Sequence, residues 1–299
     1  MVFIEHFINQ DKWIQRFIPY ITENGKSMAL LKSCALTFTL FIAFTAIPCE
    51  SYAQETRRLE LGMGLAGASL PHYRGSDQRR DYFAPFPYVL YEGKRLKVNR
   101  DGGQFYFYDH PRFWIDVSAA MSPPVFSDDN HAREGMNDLH PVVELGPRVQ
   151  VVLFKSKKGH FWLRASFPLR MAIASDLRDT RSVGFVFSPY LQAHADHKWD
   201  TDFSIGPIWA GEAFHDYVYE VDPKFATATR PAYDAKGGYS GTRFTISTGH
   251  RYKGWWFGFF ARYDDLSGAT FHDSPLVKRE ESFMTGAALS TIIYSEKLQ

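Results

Sequence analysis

The run VVELGPRVQVVLFKSKKGHFWLRASFPLRMAI, from Val142 to Ile173, decides the fold. Its first half places Val143, Leu145, Pro147, Val149, Val151 and Leu153 at odd positions, with Glu144, Arg148 and Gln150 at even ones. Its second half repeats the pattern: Phe161, Leu163, Ala165, Phe167, Leu169 and Met171 are odd, and Arg164, Ser166 and Arg170 are even. Successive side chains of a strand point to opposite faces, so each half reads as a strand with one apolar and one polar face. The charged stretch from Lys155 to Gly159 joins the two as a hairpin.

The same alternation recurs outward in both directions, and it predicts strands over 58–68, 82–92, 94–100, 103–109, 112–120, 142–154, 160–173, 184–195, 199–209, 241–251, 254–264 and 283–294. Most have the roughly ten residues that a tilted strand needs to cross a hydrocarbon core. Period two alone also fits a soluble lipocalin-like barrel or a sandwich. The connections discriminate. Links at 93, 110–111, 155–159, 196–198 and 252–253 are short, whereas 69–81, 121–141, 174–183, 210–240 and 265–282 are long, with Asp101-Gly102 the exception. Short turns on one side and long loops on the other are the sidedness of a transmembrane barrel. The expected fold is therefore all-β, an antiparallel transmembrane β-barrel of about twelve strands, within a range of roughly 10–14. Both termini fall on the short-turn, periplasmic side. Tyr82, Trp114, Trp162, Trp199, Trp209, Trp255, Trp256 and Tyr263 lie near strand ends and fit two aromatic girdles.

Upstream, MALLKSCALTFTLFIAFTAIPCESYAQ (Met28 to Gln54) carries Lys32, an uncharged apolar stretch, the helix-breaking Pro48 and small residues. That is the order of a secretory signal peptide, predicted over 28–53 with cleavage between Ala53 and Gln54. Residues 54–299 then form the barrel. Residues 1–27 carry Glu5, Asp11 and Glu23, which suit no signal n-region, and read as an N-terminal extension from a start assigned ahead of Met28. Cys34 and Cys49 both lie in the apolar segment, so a disulfide scaffold or a cysteine metal site is excluded from the barrel. Lys and Arg number 34 against 33 Asp and Glu, which gives no basic bias toward nucleic acid.

With the apolar face toward lipid, the lumen receives Glu60, Asp116, Glu144, Arg148, Arg164, Arg170, Gln192, His194, Asp200, Asp202 and Arg262. Both signs are present, which suits cross-lumen ion pairs as well as a narrow passage for small polar solutes. Ser188, His194 and Asp196 share a face, but Ser188 and His194 stand about 20 Å apart along a strand, too far for proton transfer. The loop residues Asp128, Asp129, Asn130, His131 and Glu134 lack the glycine and spacing of a calcium loop and read as a solvated or salt-bridged segment. Asp128, Asp129, Arg133, Arg230 and Tyr233 are candidate loop or partner contacts. Arg230, Pro231 and Tyr233 would either constrict the pore or shape the longest loop. His110, His131, His140, His194, His197 and His215 are scattered without a shared framework, which indicates no metal site; no cofactor or catalytic residue is expected either.

Five stretches carry a resemblance: HYRGSD (72–77), PFPYVLYEGKRLKVNRDG (85–102), SDDNHAREGMNDLHPVVELGP (127–147), ATATRPAYDAKGGYSG (226–241) and FARYDDLSGATFHDSPLV (260–277). Together they resemble the MipA/OmpV family of outer-membrane proteins, named for an interaction with the murein-degrading transglycosylase MltA. The resemblance implies a barrel in the bacterial outer membrane, inserted by the barrel-assembly machinery and surrounded by outer-membrane lipid. It implies a scaffold for a lytic transglycosylase and a peptidoglycan synthase, or a solute-permeable or adhesive protein. One departure concerns the end of the chain. Such barrels tend to finish on an aromatic residue, whereas here Tyr294 is followed by Ser-Glu-Lys-Leu-Gln; Ile292 and Tyr294 are expected to supply the terminal apolar face.

Overall fold

The computed structural model describes residues 57–93, 96–99, 102–175 and 179–298. The extension over 1–27, the signal peptide over 28–53 and the cleavage site at Ala53 and Gln54 lie outside the described residues. Thirteen strands follow in chain order. They are β1 (Arg57–Pro71), β2 (Arg79–Glu92), β3 (Leu96–Asn99), β4 (Gly102–Asp109), β5 (Phe113–Ser122), β6 (Val142–Lys155) and β7 (Phe161–Ser175). After these come β8 (Thr180–Phe187), β9 (Tyr190–Asp196), β10 (Asp200–Ala210), β11 (Gly238–Tyr252), β12 (Trp255–Asp265) and β13 (Glu281–Leu298). Among the described residues the one α-helix, α1 (Glu212–Tyr219), lies between β10 and β11.

Apart from β8 and β9, each strand pairs antiparallel with its chain neighbours, and β13 returns to β1, so the sheet closes on itself. Closure pairs the two end strands, β1 and β13, and so removes the free edges an open sheet would present to lipid there. β8 and β9 share one place in the wall, because both pair with β7 and with β10. The wall therefore has twelve places, and the expected single strand over 184–195 is corrected to two pieces. Pro189 is the cause: it has no N–H to give to a ladder. At that break Gly206 of β10 meets the Pro189 carbonyl so closely that a Cβ would stand 2.0 Å from the oxygen, so only glycine fits.

Residue exposure settles which face looks outward. Met63 (64% exposed), Leu145 (51%) and Met171 (54%) stand at odd positions among many exposed apolar side chains, while Glu60, Asp116 and Gln150 at even positions are 1%, 0% and 1% exposed. A water-soluble barrel with this inversion would present an apolar belt far larger than soluble proteins carry. Among the described residues no helix is long and apolar enough to cross a membrane; the strands make the crossing.

Three expectations are corrected here. The links at 69–81 and 174–183 shorten, because β1, β2, β7 and β8 extend past the apolar belt. Trp199, Trp209, Trp255 and Tyr263 face outward, but Trp114 and Trp162 turn into the lumen around Arg164, and Trp256 and Tyr82 occupy inward positions as well. Nearness to a strand end does not say which face an aromatic ring takes. Finally, Leu61 pairs with Tyr294 and Gly62 with Ile292, so Ile293 bulges. The bulge puts Ile293 and Tyr294 together on the lipid face, and Ile292 leaves that face.

The wall is low at one place. Among the described residues β3 meets β2 only at Tyr91 with Val98 and Glu92 with Lys97, and β4 meets β5 only from Asp116 to Trp114. Above this short hairpin, Arg79 to Leu90 of β2 have no described partner on that side. Pro85 and Pro87 fall in that stretch, at alternate positions that share a side, where a missing donor costs nothing.

Candidate functional site

The even positions of β5, β6 and β7 build a polar row across the lumen wall. Arg148 donates from Nε and Nη2 to the two oxygens of Asp116 (2.8 and 2.7 Å), and Gln150 Nε2 donates to Asp116 at 2.6 Å. Ser166 Oγ donates to Gln150 at 3.2 Å. One layer toward the loops, Arg170 Nε donates to Glu144 (2.9 Å) while its two other nitrogens reach Ser118 Oγ and Ser188 Oγ. Buried charges persist only when paired and hydrogen-bonded, and these are.

Toward the turns, the Arg164 guanidinium lies 4.0 Å from the Trp162 ring and 5.1 Å from that of Trp114. Trp162 stacks on His194 at 4.6 Å. His194 faces Asp202 through Nδ1 (2.9 Å) and Asp200 through Nε2 (3.4 Å), and Gln192 donates to Asp202 at 2.9 Å. His194, Asp200 and Asp202 offer ligand-type atoms within 4.8 Å of one another. The sequence placed all three on the lumen face without grouping them, since they come from two strands. On the opposite wall Glu60 accepts from Arg251 (2.8 Å) and Tyr88 (3.3 Å).

Ser188, His194 and Asp196 are each engaged elsewhere: Ser188 with Arg170, His194 with Asp202, and Asp196 beside His160. The remaining lumen candidate, Arg262 of β12, makes no hydrogen bond or ion pair with a described residue, and its Nε is buried without a partner. Its neighbour Asp264 is fully buried and already holds both Arg243 (2.7 and 2.8 Å) and Arg74 (2.8 Å).

A cavity of about 290 Å³ lies among these groups, lined by Arg148, Arg164, Arg170, Arg243 and Arg262 and by a single acid, Asp202. A second cavity, about 200 Å³ and mostly apolar, is lined by Trp256, Gly258, Phe260, Gly286 and Ala288 and shares Ser247 with the first.

Over the loop-side mouth, four long loops fold into a cap with its own apolar core. Tyr73, Val125, Leu139, Tyr219, Val221, Leu266, Phe271 and Leu276 are all buried in it. α1 enters the mouth: Phe214 packs on Val142, Ala172 and Ala174, and on Ile208 and Ala210, all at inward positions of the wall. His215 is fully buried. Its Nδ1 lies 2.6 Å from the Lys236 carbonyl, which can only accept, so Nδ1 carries the proton and Nε2 accepts from Ser240 Oγ (2.7 Å). Burial holds its pKa below the usual histidine value. Burial likewise pushes the Tyr73 phenol up to about 12 and the Tyr219 phenol higher still.

The loop candidates divide. Arg230 clasps the carbonyls of Phe225, Ala132 and Glu134, and Tyr233 pairs with Val221 and donates to the Thr270 carbonyl, so this segment shapes the cap. Arg133, also a loop candidate, is 3% exposed and donates to the carbonyls of Val218 and Asn137, so it ties its loop to α1 within the cap. Asp128 and Asp129 are exposed, and Asp129 bridges to Arg80 at 2.5 Å.

Residues 63–291 match the model of a family described as MltA-interacting protein MipA. The chain belongs to this family. No curated protein matches this family member. Solved structures similar to this MipA-family chain are outer-membrane barrels of remote sequence. A bacterial polysaccharide outer-membrane secretin has 10% identity and a TM-score of 0.38, covering 79% of this chain and 99% of that one. OprB from Pseudomonas putida has 8% identity and a TM-score of 0.38, covering 81% and 94%. The NanC porin has 8% identity and a TM-score of 0.31, covering 80% and 100%. The protein is an outer-membrane β-barrel of the MipA family.

Proposed function

We propose that the protein is a non-enzymatic docking barrel that holds peptidoglycan-remodelling enzymes at the outer membrane, a lytic transglycosylase first and a peptidoglycan synthase second. In this reading the short turns and both termini face the periplasm, where such enzymes work. The observation that carries it is the closure of the loop side: α1 and the loop at 266–280 form a folded cap with a buried core, above a lumen whose wall is lined by ion pairs fixed between neighbouring strands. A barrel built in this way offers a rigid anchor and little room for flow. The family's description supports the transglycosylase as partner.

The test joins capture and conductance. The purified barrel, incubated with envelope extract, is expected to retain a lytic transglycosylase and to show no discrete channels in planar bilayers at low voltage. Reproducible channels together with no retained transglycosylase would overturn the reading in favour of a narrow pore for polar solutes.

A further inference from the structure

Three guanidiniums, those of Arg74, Arg243 and Arg262, stand near one carboxylate that pairs with only two of them. Asp264 spends both oxygens on Arg74 and Arg243, and Arg262 is left with a buried, unpartnered Nε in the wall of the larger cavity. Its charged surroundings include two further cations, Arg243 and Arg74, with Asp264 and Glu144. Around that cavity as a whole, six arginines stand against four acids, Asp116, Glu144, Asp202 and Asp264. Burying a cation without a counter-charge is costly, and a protein that keeps one holds it for a charge that arrives from outside. Arginine presents a planar fork of donors that fits carboxylate and phosphate oxygens.

We infer that the lumen cavity beneath the cap is a binding site for a small organic oxyanion, a carboxylate or phosphate ester, whose charged end meets Arg262. Phe260 lies two residues away on the same face of β12 and lines the apolar cavity, which adjoins the arginine-lined one at Ser247. The ligand that fills both therefore carries a short apolar body beside its oxyanion. The cavity volume, about 290 Å³, suits a molecule of metabolite size. This binding is independent of enzyme docking at the turn side.

Calorimetry on the full folded barrel in detergent, with phenyl phosphate and inorganic phosphate as probes and phenyl glucoside as the neutral control, tests the inference. Phenyl phosphate is expected to bind saturably, more tightly than inorganic phosphate, and more weakly as salt is raised. Arg262→Gln is expected to weaken it at least tenfold, Arg262→Lys less, and the exposed-site control Arg279→Gln not at all. A second readout covers misfolding. An arginine kept for a ligand is a burden to the empty barrel, so Arg262→Gln should unfold at a higher temperature than the wild type in the absence of probe. Equal affinity of wild type and Arg262→Gln, or equal binding of phenyl glucoside, overturns the site. Equal affinity for the two phosphates overturns the apolar extension. A fall in melting temperature for empty Arg262→Gln overturns the role of Arg262 as the charge held for the ligand.

Discussion

Tyr219 of α1 lies flat on Phe271 from the loop at 266–280, with ring centroids 3.7 Å apart and planes 7° from parallel. Tyr219 OH also donates to the Arg74 carbonyl at 3.0 Å, and Ser274 Oγ donates to the Tyr219 carbonyl at 2.7 Å. One side chain thus joins three loops that no strand pairing connects. Phe271→Ala removes a fully buried ring from that junction and is expected to cost the cap about 3–5 kcal/mol. Limited proteolysis reads the result: cuts should appear in the loops at 211–237 and 266–280 while the barrel keeps its heat-modifiable mobility on gels. Loops that stay as resistant as in the wild type would show that the cap does not depend on this contact.

Two neighbouring groups of α1 give the cap opposite responses to pH. Asp216 is pushed up to about 6 by burial and by the carboxylates of Glu212, Glu220 and Asp234. A raised carboxyl keeps its proton longer in the folded cap than in the unfolded chain, so its contribution falls as pH rises from the ordinary aspartate value of 3.8 to about 6. His215 is held below the ordinary histidine value of 6.5, so its contribution is present above 6.5 and is lost as pH falls below it. Asp216→Asn should therefore stabilise the cap at pH 7, by less than the full shift implies because solvent screens this partly exposed carboxyl, and leave it unchanged near pH 3.5. Hydrogen exchange of the α1 amides across that range provides the measurement. In the variant only the histidine slope should remain, with protection rising toward neutral pH.

How much of this was legible in the sequence depends on which contacts obey a period. The lipid-facing positions of β6 and β7 do, because every second residue meets the same solvent, and the lumen set from Glu60 to Arg262 follows by parity. The cap obeys none. Tyr73 OH donates to the Leu276 carbonyl across 203 positions of sequence, and Arg133, which looks like an exposed loop cation, ends 3% exposed because it ties its own loop to α1. The break at Pro189 splits a strand without shifting parity, since Phe185 and Leu191 both face outward and Ser188 and His194 both meet lumen groups; the bulge at Ile293 does shift it, and no sequence period marks where a bulge falls. Parity put Arg262 in the lumen; that Asp264 was already taken by Arg243 and Arg74 could not be read from either residue alone.

The pair formed by Arg148 and Asp116 is bidentate, with Asp116 fully buried and Gln150 completing its shell. Removing one partner leaves the other charged and buried. Asp116→Asn is expected to destabilise the barrel by about 3–5 kcal/mol, and Arg148→Gln in the same background to recover part of that loss. Urea unfolding of lipid-inserted protein gives the three numbers. Additive single losses in the double variant would mean the two groups do not interact.

Lipid contact on the odd-numbered face makes a prediction that depends on depth. Val149 pairs with Phe167 at the middle of β6 and β7, and both are exposed on the outside of the wall. Leu153, also exposed, lies two residues from the end of β6 at the turn that joins it to β7. A charge on the lipid face costs about 2–4 kcal/mol at the bilayer midplane and falls to about 0–1 near the interface. Val149→Arg should therefore lower stability in lipid vesicles several-fold more than Leu153→Arg, because an arginine at 153 can reach headgroup and water. Two equal small losses would mean that the face at Val149 meets water, and the reading of this wall as a membrane surface would fail at its centre.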